Sequence, residues 1–140
     1  MSPAEVRAEL EHRPAAADGL LAAFTLPAAP ESAGAARRRV RSALSSRSLE
    51  DLAGDAELIV SEFTANAVRH AGSPVEVVLI TAGGVLMIIA ADSSRVPPVL
   101  CGTGDGESGR GLVIVDGVAD RWGWWPSSAG KSVWAAIRFG

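Results

Sequence analysis

At 140 residues the chain has room for one domain, and a hydrophobic content of 48% supplies a substantial core. A net charge of −3 argues against non-specific nucleic-acid binding, and no nucleic-acid partner is expected. A single cysteine, Cys101, excludes an internal disulfide and a four-cysteine zinc site, and two histidines, His12 and His70, disfavour a His-rich catalytic metal site.

Residues 1–20 read as a weakly ordered arm ahead of a domain at 21–140. The arm is charged and Ala-rich, without an apolar core of signal-peptide length. AAFTLPA, 22–28, is a predicted strand ended by Pro27 and Pro30. ESAGAARRRVRSALSS, 31–46, is a predicted helix, with Val40 and Leu44 on one face. Its Arg37, Arg38, Arg39 and Arg41 form a basic cluster, better explained as a solvated face than as a docking patch. A second helix is predicted over 51–71, stopped at Gly72 with Pro74 just beyond. PVEVVLITAGGVLMIIAAD, 74–92, reads as a hairpin turning at Gly83-Gly84. Its longest apolar run, VLMIIAA, is strand-sized, so no membrane span is expected and the setting is read as cytoplasmic.

Residues 93–110, SSRVPPVLCGTGDGESGR, hold many turn signals and no periodicity. A loop this long inside a compact domain is functional or disordered. A helix is predicted over 111–120. RWGWW, 121–125, and KSVWAAIRF, 131–139, are predicted closing strands, with Trp122, Trp124 and Trp134 as sheet or core packing. The order is strand, helix, helix, hairpin, loop, helix, hairpin. It predicts a two-layer α/β sandwich: a mixed, mainly antiparallel sheet covered on one face by about three helices.

The second helix carries the first chemical signal. On a wheel at about 100° per residue, with Glu62 at zero, Asn66 falls near +40° and Arg69 near −20°. Leu58, Ile59 and Ala65 share that arc, and Glu57, Ser61 and Thr64 are left for solvent. A carboxylate and a carboxamide one turn apart thus point toward the core side. Burying an unpaired carboxylate costs several kcal/mol, roughly, so Glu62 needs either an internal partner or a polar cavity. A packing pair and a functional pair fit this pattern equally well.

Further along, GKS at 130–132 is not a P-loop, because the required earlier glycine is Trp125 and a strand follows rather than a helix. ESGRGLVIV, 107–115, is a better anion candidate. Gly109 and Gly111 allow close backbone approach, a helix start offers free N–H groups, and Arg110 adds a charged fork. Tight packing explains most such glycine pairs. Asp92 ends an apolar strand, where a carboxylate can accept from an amine at the mouth of a slot or simply cap a turn.

The order and spacing of these signals resemble the ATP-binding domain shared by gyrase and histidine kinases, the GHKL or Bergerat fold. More closely, the chain resembles the anti-sigma-factor serine/threonine kinase branch of that superfamily. ELIVSEFTANAVRHA is similar to the branch's N box, IIAADSS to its first Gly box, GRGLVIVDGVADRWGW to its second, and GKSVWAAIRF to its closing strand. The resemblance covers about residues 20–140.

It implies a role for each matching residue. Glu62 is implied as the general base, and Asn66 as a ligand of Mg²⁺ through its carboxamide oxygen. Asp92 is implied as the acceptor for the adenine amine, with Ser132, commonly Thr, supporting it through water. Gly109, Arg110 and Gly111 are implied to meet the phosphates of ATP. Arg69 and His70 lie beside the site, His70 more as a structural residue. One departure is plain: the superfamily's first Gly box is Asp-x-Gly-x-Gly, and here it is Asp92-Ser93-Ser94-Arg95-Val96.

Two functional classes follow from the resemblance. One is a kinase that phosphorylates a serine or threonine of an antagonist (anti-anti-sigma) protein and sequesters a sigma factor. The other is a nucleotide-binding module that sequesters its partner with little or no turnover. A homodimer is compatible with either. Asp92→Asn is expected to weaken adenine nucleotides and spare the fold, and the 93–110 loop is expected to order with nucleotide.

Overall fold

The structure, a computed structural model, describes residues 19–98 and 107–139, the side chains of residues 107–111 excepted. The arm at 1–18, Cys101 and the loop glycines Gly102, Gly104 and Gly106 lie outside the described residues.

Along the chain run β1 (Gly19–Leu26), α1 (Ser32–Ser45), a single 3-10 turn (Glu50–Leu52) and α2 (Ala53–His70). They are followed by β2 (Val75–Ala82), β3 (Val85–Asp92), α3 (Glu107–Val118), β4 (Arg121–Ser127) and β5 (Gly130–Arg138). The strands form one five-stranded sheet in the order β1-β2-β3-β5-β4. Every neighbouring pair is antiparallel, so the sheet is narrower in type than the mixed one predicted. The β2–β3 turn falls where the sequence put it. Gly83 and Gly84 take φ of +54° and +77°, the left-handed pair that a two-residue hairpin needs and that side-chain-bearing residues resist.

Strand alternation divides the apolar side chains into two layers. Val75, Val77, Leu79, Leu86, Ile88, Ala90, Val133, Ala135 and Ile137 face the helices. They pack with Val40 and Leu44 of α1, Ile59, Val60 and Phe63 of α2, and Val115 of α3. Each large side chain fully buried here contributes roughly 1.5–3 kcal/mol. The opposite face carries Ile80, Met87, Ile89, Trp134 and Ala136, contributed by strands alone. The α/β two-layer sandwich is therefore the architecture, with α1, α2 and α3 on one face.

Two predicted details shift. The buried face of α2 is Ala56, Ile59, Val60, Phe63, Thr64 and Ala67, which centres near +120° on the wheel above. Thr64, expected in solvent, is completely buried, and Leu58, expected in the core, is 38% exposed. The wheel was centred on Glu62 by apolar neighbours that turn out to flank the core. Helix α3 begins at Glu107, four residues before the predicted start, so Gly109, Arg110 and Gly111 lie inside its first turns and not ahead of it.

Candidate functional site

One flank of α2 packs on α1, and there the polar side chains find partners. The Arg41 guanidinium donates to both Glu57 oxygens, Nε at 3.1 Å and Nη2 at 2.6 Å. That hydrogen bond, ahead of the charge of Arg41 and Arg37, holds the Glu57 carboxyl below its ordinary value of 4.5, with burial opposing. Arg37 donates to Ser61 Oγ at 2.8 Å. Arg39 lies over the Phe24 ring, 4.8 Å from its centroid. Arg37, Arg39 and Arg41 thus make contacts within the molecule while staying exposed.

The other flank of α2 is different. Glu62 and Asn66 sit half-buried at the edge of the core face, one helical turn apart. Among the described residues Glu62 makes no hydrogen bond or ion pair. Asn66 Oδ1 accepts from Arg69 Nη1 at 3.3 Å, a long contact that leaves acceptor capacity on the amide oxygen. Arg69 and His70 are exposed in the last turn, where positive charge suits the helix C-terminus.

Asp92 ends β3 on the helix-facing side. Register pairs it with Lys131 of β5. The Lys131 ammonium lies 3.1 and 3.2 Å from the two Asp92 oxygens, and the side chains are only 8% and 7% exposed. Asp92 Oδ1 also accepts the Ser94 N–H at 2.8 Å, and Ser94 Oγ accepts the Val96 N–H at 3.1 Å. Where the superfamily pattern has glycines, short polar side chains fold the turn instead. Arg95 donates to the carbonyls of Ser127 and Ser128, fastening this turn to the β4–β5 hairpin. Gly130 completes the fit: a Cβ there would lie 2.0 Å from the Asp92 carbonyl oxygen. Beside the pair, on the same face, lie buried Ala90 and Val133.

Ser132 is not part of this arrangement. It pairs with Ala91 and Trp125, in the strand rows of Trp134 and Ala136, so it points to the helix-free face. The support for Asp92 comes from the residue before it. Lys131 went unseen because both parities of β5 are apolar beyond their first residue, Val133-Ala135-Ile137 on one side and Trp134-Ala136 on the other. A signal was present: a lysine leading one of two apolar rows needs an acid opposite it, and Asp92 was the one carboxylate at a strand end of the preceding hairpin.

The backbone of Gly109, Arg110 and Gly111 runs in α3, which packs against α2 and β4; their side chains lie outside the described residues. Among the described residues no cluster of three His, Cys, Asp or Glu side chains forms a cage for a metal, and no helix is long and apolar enough to cross a membrane.

Among solved structures the chain is similar to the RsbU and RsbW domains of Rv1364c from Mycobacterium tuberculosis. The TM-score is 0.64 at 18% identity, over 84% of this chain and 32% of that one. At that identity the likeness is one of fold, and this chain spans about a third of that structure's length. A search of curated proteins gives no match. The model of the histidine kinase-like ATPase domain matches residues 26–137, most of the length and every element of the site. The chain belongs to the histidine kinase-like ATPase domain family.

Proposed function

We propose that this chain binds ATP between α2 and the helix-facing side of the sheet, and passes the γ-phosphoryl group to a serine or threonine of an antagonist protein. As the resemblance to anti-sigma-factor kinases implies, it would also hold a sigma factor, in the cytoplasm. The observation that carries this is Glu62, a half-buried carboxylate without a partner among the described residues, at the edge of the core face of α2. A structural carboxylate would be paired, as Glu57 is. A base must be free to take a proton.

In the proposed transfer the acceptor hydroxyl oxygen bonds to the γ-phosphorus as Glu62 takes its proton. The bond from that phosphorus to the β,γ-bridging oxygen breaks, and ADP leaves with the electron pair. Asp92 holds the adenine amine, using the lone pairs that Lys131 and the Ser94 N–H leave free. The Gly109-Arg110-Gly111 segment of α3 meets the phosphates.

Mg²⁺ fits the residues present only as a shared ion. Asn66 offers one hard oxygen, and with no carboxylate cage among the described residues the remaining ligands would be phosphate and water, the usual manner of Mg²⁺. When bound it would neutralise charge on the phosphates. Arg69, already at Asn66 Oδ1, would have to share that oxygen. This sharing favours a second reading, in which nucleotide is a structural ligand and the chain sequesters its partner without turnover.

The test is a melting curve with ATP and Mg²⁺, followed by phosphoryl transfer to partners captured with the protein. Saturation at about 100 times the dissociation constant should add roughly 2.7 kcal/mol of stability. No shift at millimolar ATP would remove both readings. A shift without transfer would leave the second.

A further inference from the structure

The pairing of Lys131 with Asp92 has a meaning beyond charge balance. We propose that Lys131 is a base-reading residue, donating to N1 of adenine while Asp92 accepts from the 6-amino group. This rests on the ATP reading above and adds a specificity determinant to it.

Register sets the two side chains on the same face of the sheet, directly opposite each other on β3 and β5. They present one acceptor and one donor side by side. The Watson–Crick edge of adenine carries the complementary pair, a donor at the amine and an acceptor at N1. Both protein groups are buried, so each has a fixed position and little water to satisfy it. Asp92 has spare acceptor capacity, since three contacts occupy its roughly four lone-pair sites.

Lysine has three donors and no acceptor. Among the described residues its only partner is Asp92, and at least one N–H remains for a ligand. Ala90 and Val133 supply the apolar surface beside the pair. The backbone fit at Gly130 fixes where β5 starts against the end of β3, and so fixes the spacing of donor and acceptor.

The pair also discriminates. A 6-oxopurine in the same pose would set its carbonyl against the Asp92 carboxylate and its N1–H against the ammonium. A small hydroxyl in place of Lys131 could turn to accept or donate; an ammonium cannot. Lys131 therefore makes the demand for an acceptor at N1 absolute.

The experiment compares ADP, 1-deaza-ADP and 7-deaza-ADP by calorimetry on the wild-type chain. The first analogue replaces N1 with C–H, and the second alters the ring elsewhere. Losing a hydrogen bond from a charged donor should weaken 1-deaza-ADP at least about tenfold, with 7-deaza-ADP near ADP. Lys131→Met should then bring ADP and 1-deaza-ADP to nearly equal affinity. Should Lys131→Met fail to fold, Lys131→Gln still donates an N–H to Asp92, and it should narrow the ratio. Equal binding of ADP and 1-deaza-ADP by the wild type overturns the assignment, as does an undiminished ratio in the variant. Absence of any ADP binding by the wild type removes the ATP reading itself, which separates the two failures.

Discussion

Helix α2 has two polar flanks, and they are built differently. Toward α1, Glu57 and Ser61 are each given an arginine. On the flank away from α1, Glu62 has no partner among the described residues, and Asn66 has a long contact from Arg69 on its own helix. Both flanks are half-buried, so exposure does not separate them. What separates them is whether the fold supplies the partner. Where it does, the side chain ties elements together. Where it does not, among the described residues, the half-buried carboxylate is the proposed base.

The widest split between the flanks should appear on substitution of the two glutamates. Glu62→Gln keeps size and removes the base. Phosphoryl transfer should fall about 10²–10⁴-fold, while ATP affinity and melting temperature stay close to wild type. Glu57→Gln should do the opposite, lowering stability and leaving transfer intact. Transfer by Glu62→Gln at the wild-type rate would erase the distinction.

Asp92 breaks the simple rule, because it is paired and is also the proposed adenine acceptor. The sequence suggested that Asp92→Asn would weaken nucleotides and spare the fold. The buried ion pair argues for a different outcome in the fold. Removing the carboxylate strands the Lys131 ammonium in the interior, which should cost about 3–5 kcal/mol. Asp92→Asn would then lose nucleotide binding partly by unfolding. Adding Lys131→Met should restore most of the stability and none of the adenine affinity. Urea denaturation of the single and double variants checks this, and a fully stable Asp92→Asn would show that the pair is not isolated from water.

A third polar group on α2 sharpens the contrast. Thr64 Oγ1 is buried and has no hydrogen-bond partner among the described residues. Thr64→Val replaces it with a methyl of the same shape. Stability should rise by about 1 kcal/mol in urea denaturation, with nucleotide affinity unchanged. A loss of affinity would assign the hydroxyl to the site instead.

The fold was legible from the sequence because its signals are local. Apolar runs, Gly83-Gly84 and the stop at Gly72 mark strands, hairpin and helix end without reference to the rest of the chain. Glu62, Asn66 and Asp92 stand out as candidates for the same reason. What escaped was relational. Lys131 and Ser132 are neighbours in sequence, and only the β3–β5 register decides which one faces Asp92; a slip of one residue exchanges them. The direction of the core around α2 was misjudged because Leu58 and Ala65 are apolar yet flank it. The start of α3 was hidden by Gly109 and Gly111, which read as loop but run inside the helix.

The smallest effect belongs to the flank of α2 that faces α1, and its dependence on pH gives it away. Glu57 is held below its ordinary value of 4.5, first by the hydrogen bond from Arg41. A carboxyl whose folded value is lowered stabilises the fold fully above its unfolded value, and the contribution fades as pH falls through the folded value. Arg41 is largely in solvent, at 63% exposure, so water and salt screen the pair. Arg41→Ala should therefore lower the melting temperature only slightly at pH 7, on the scale of Glu57→Gln, which breaks the same pair. The gap should close as pH drops below about 4.5 and through the lowered value, where wild type and variant both carry a protonated Glu57. It should also narrow in high salt. A gap that persists unchanged in acid would mean that Arg41 acts through the packing of its aliphatic stem on α2, and not through its charge.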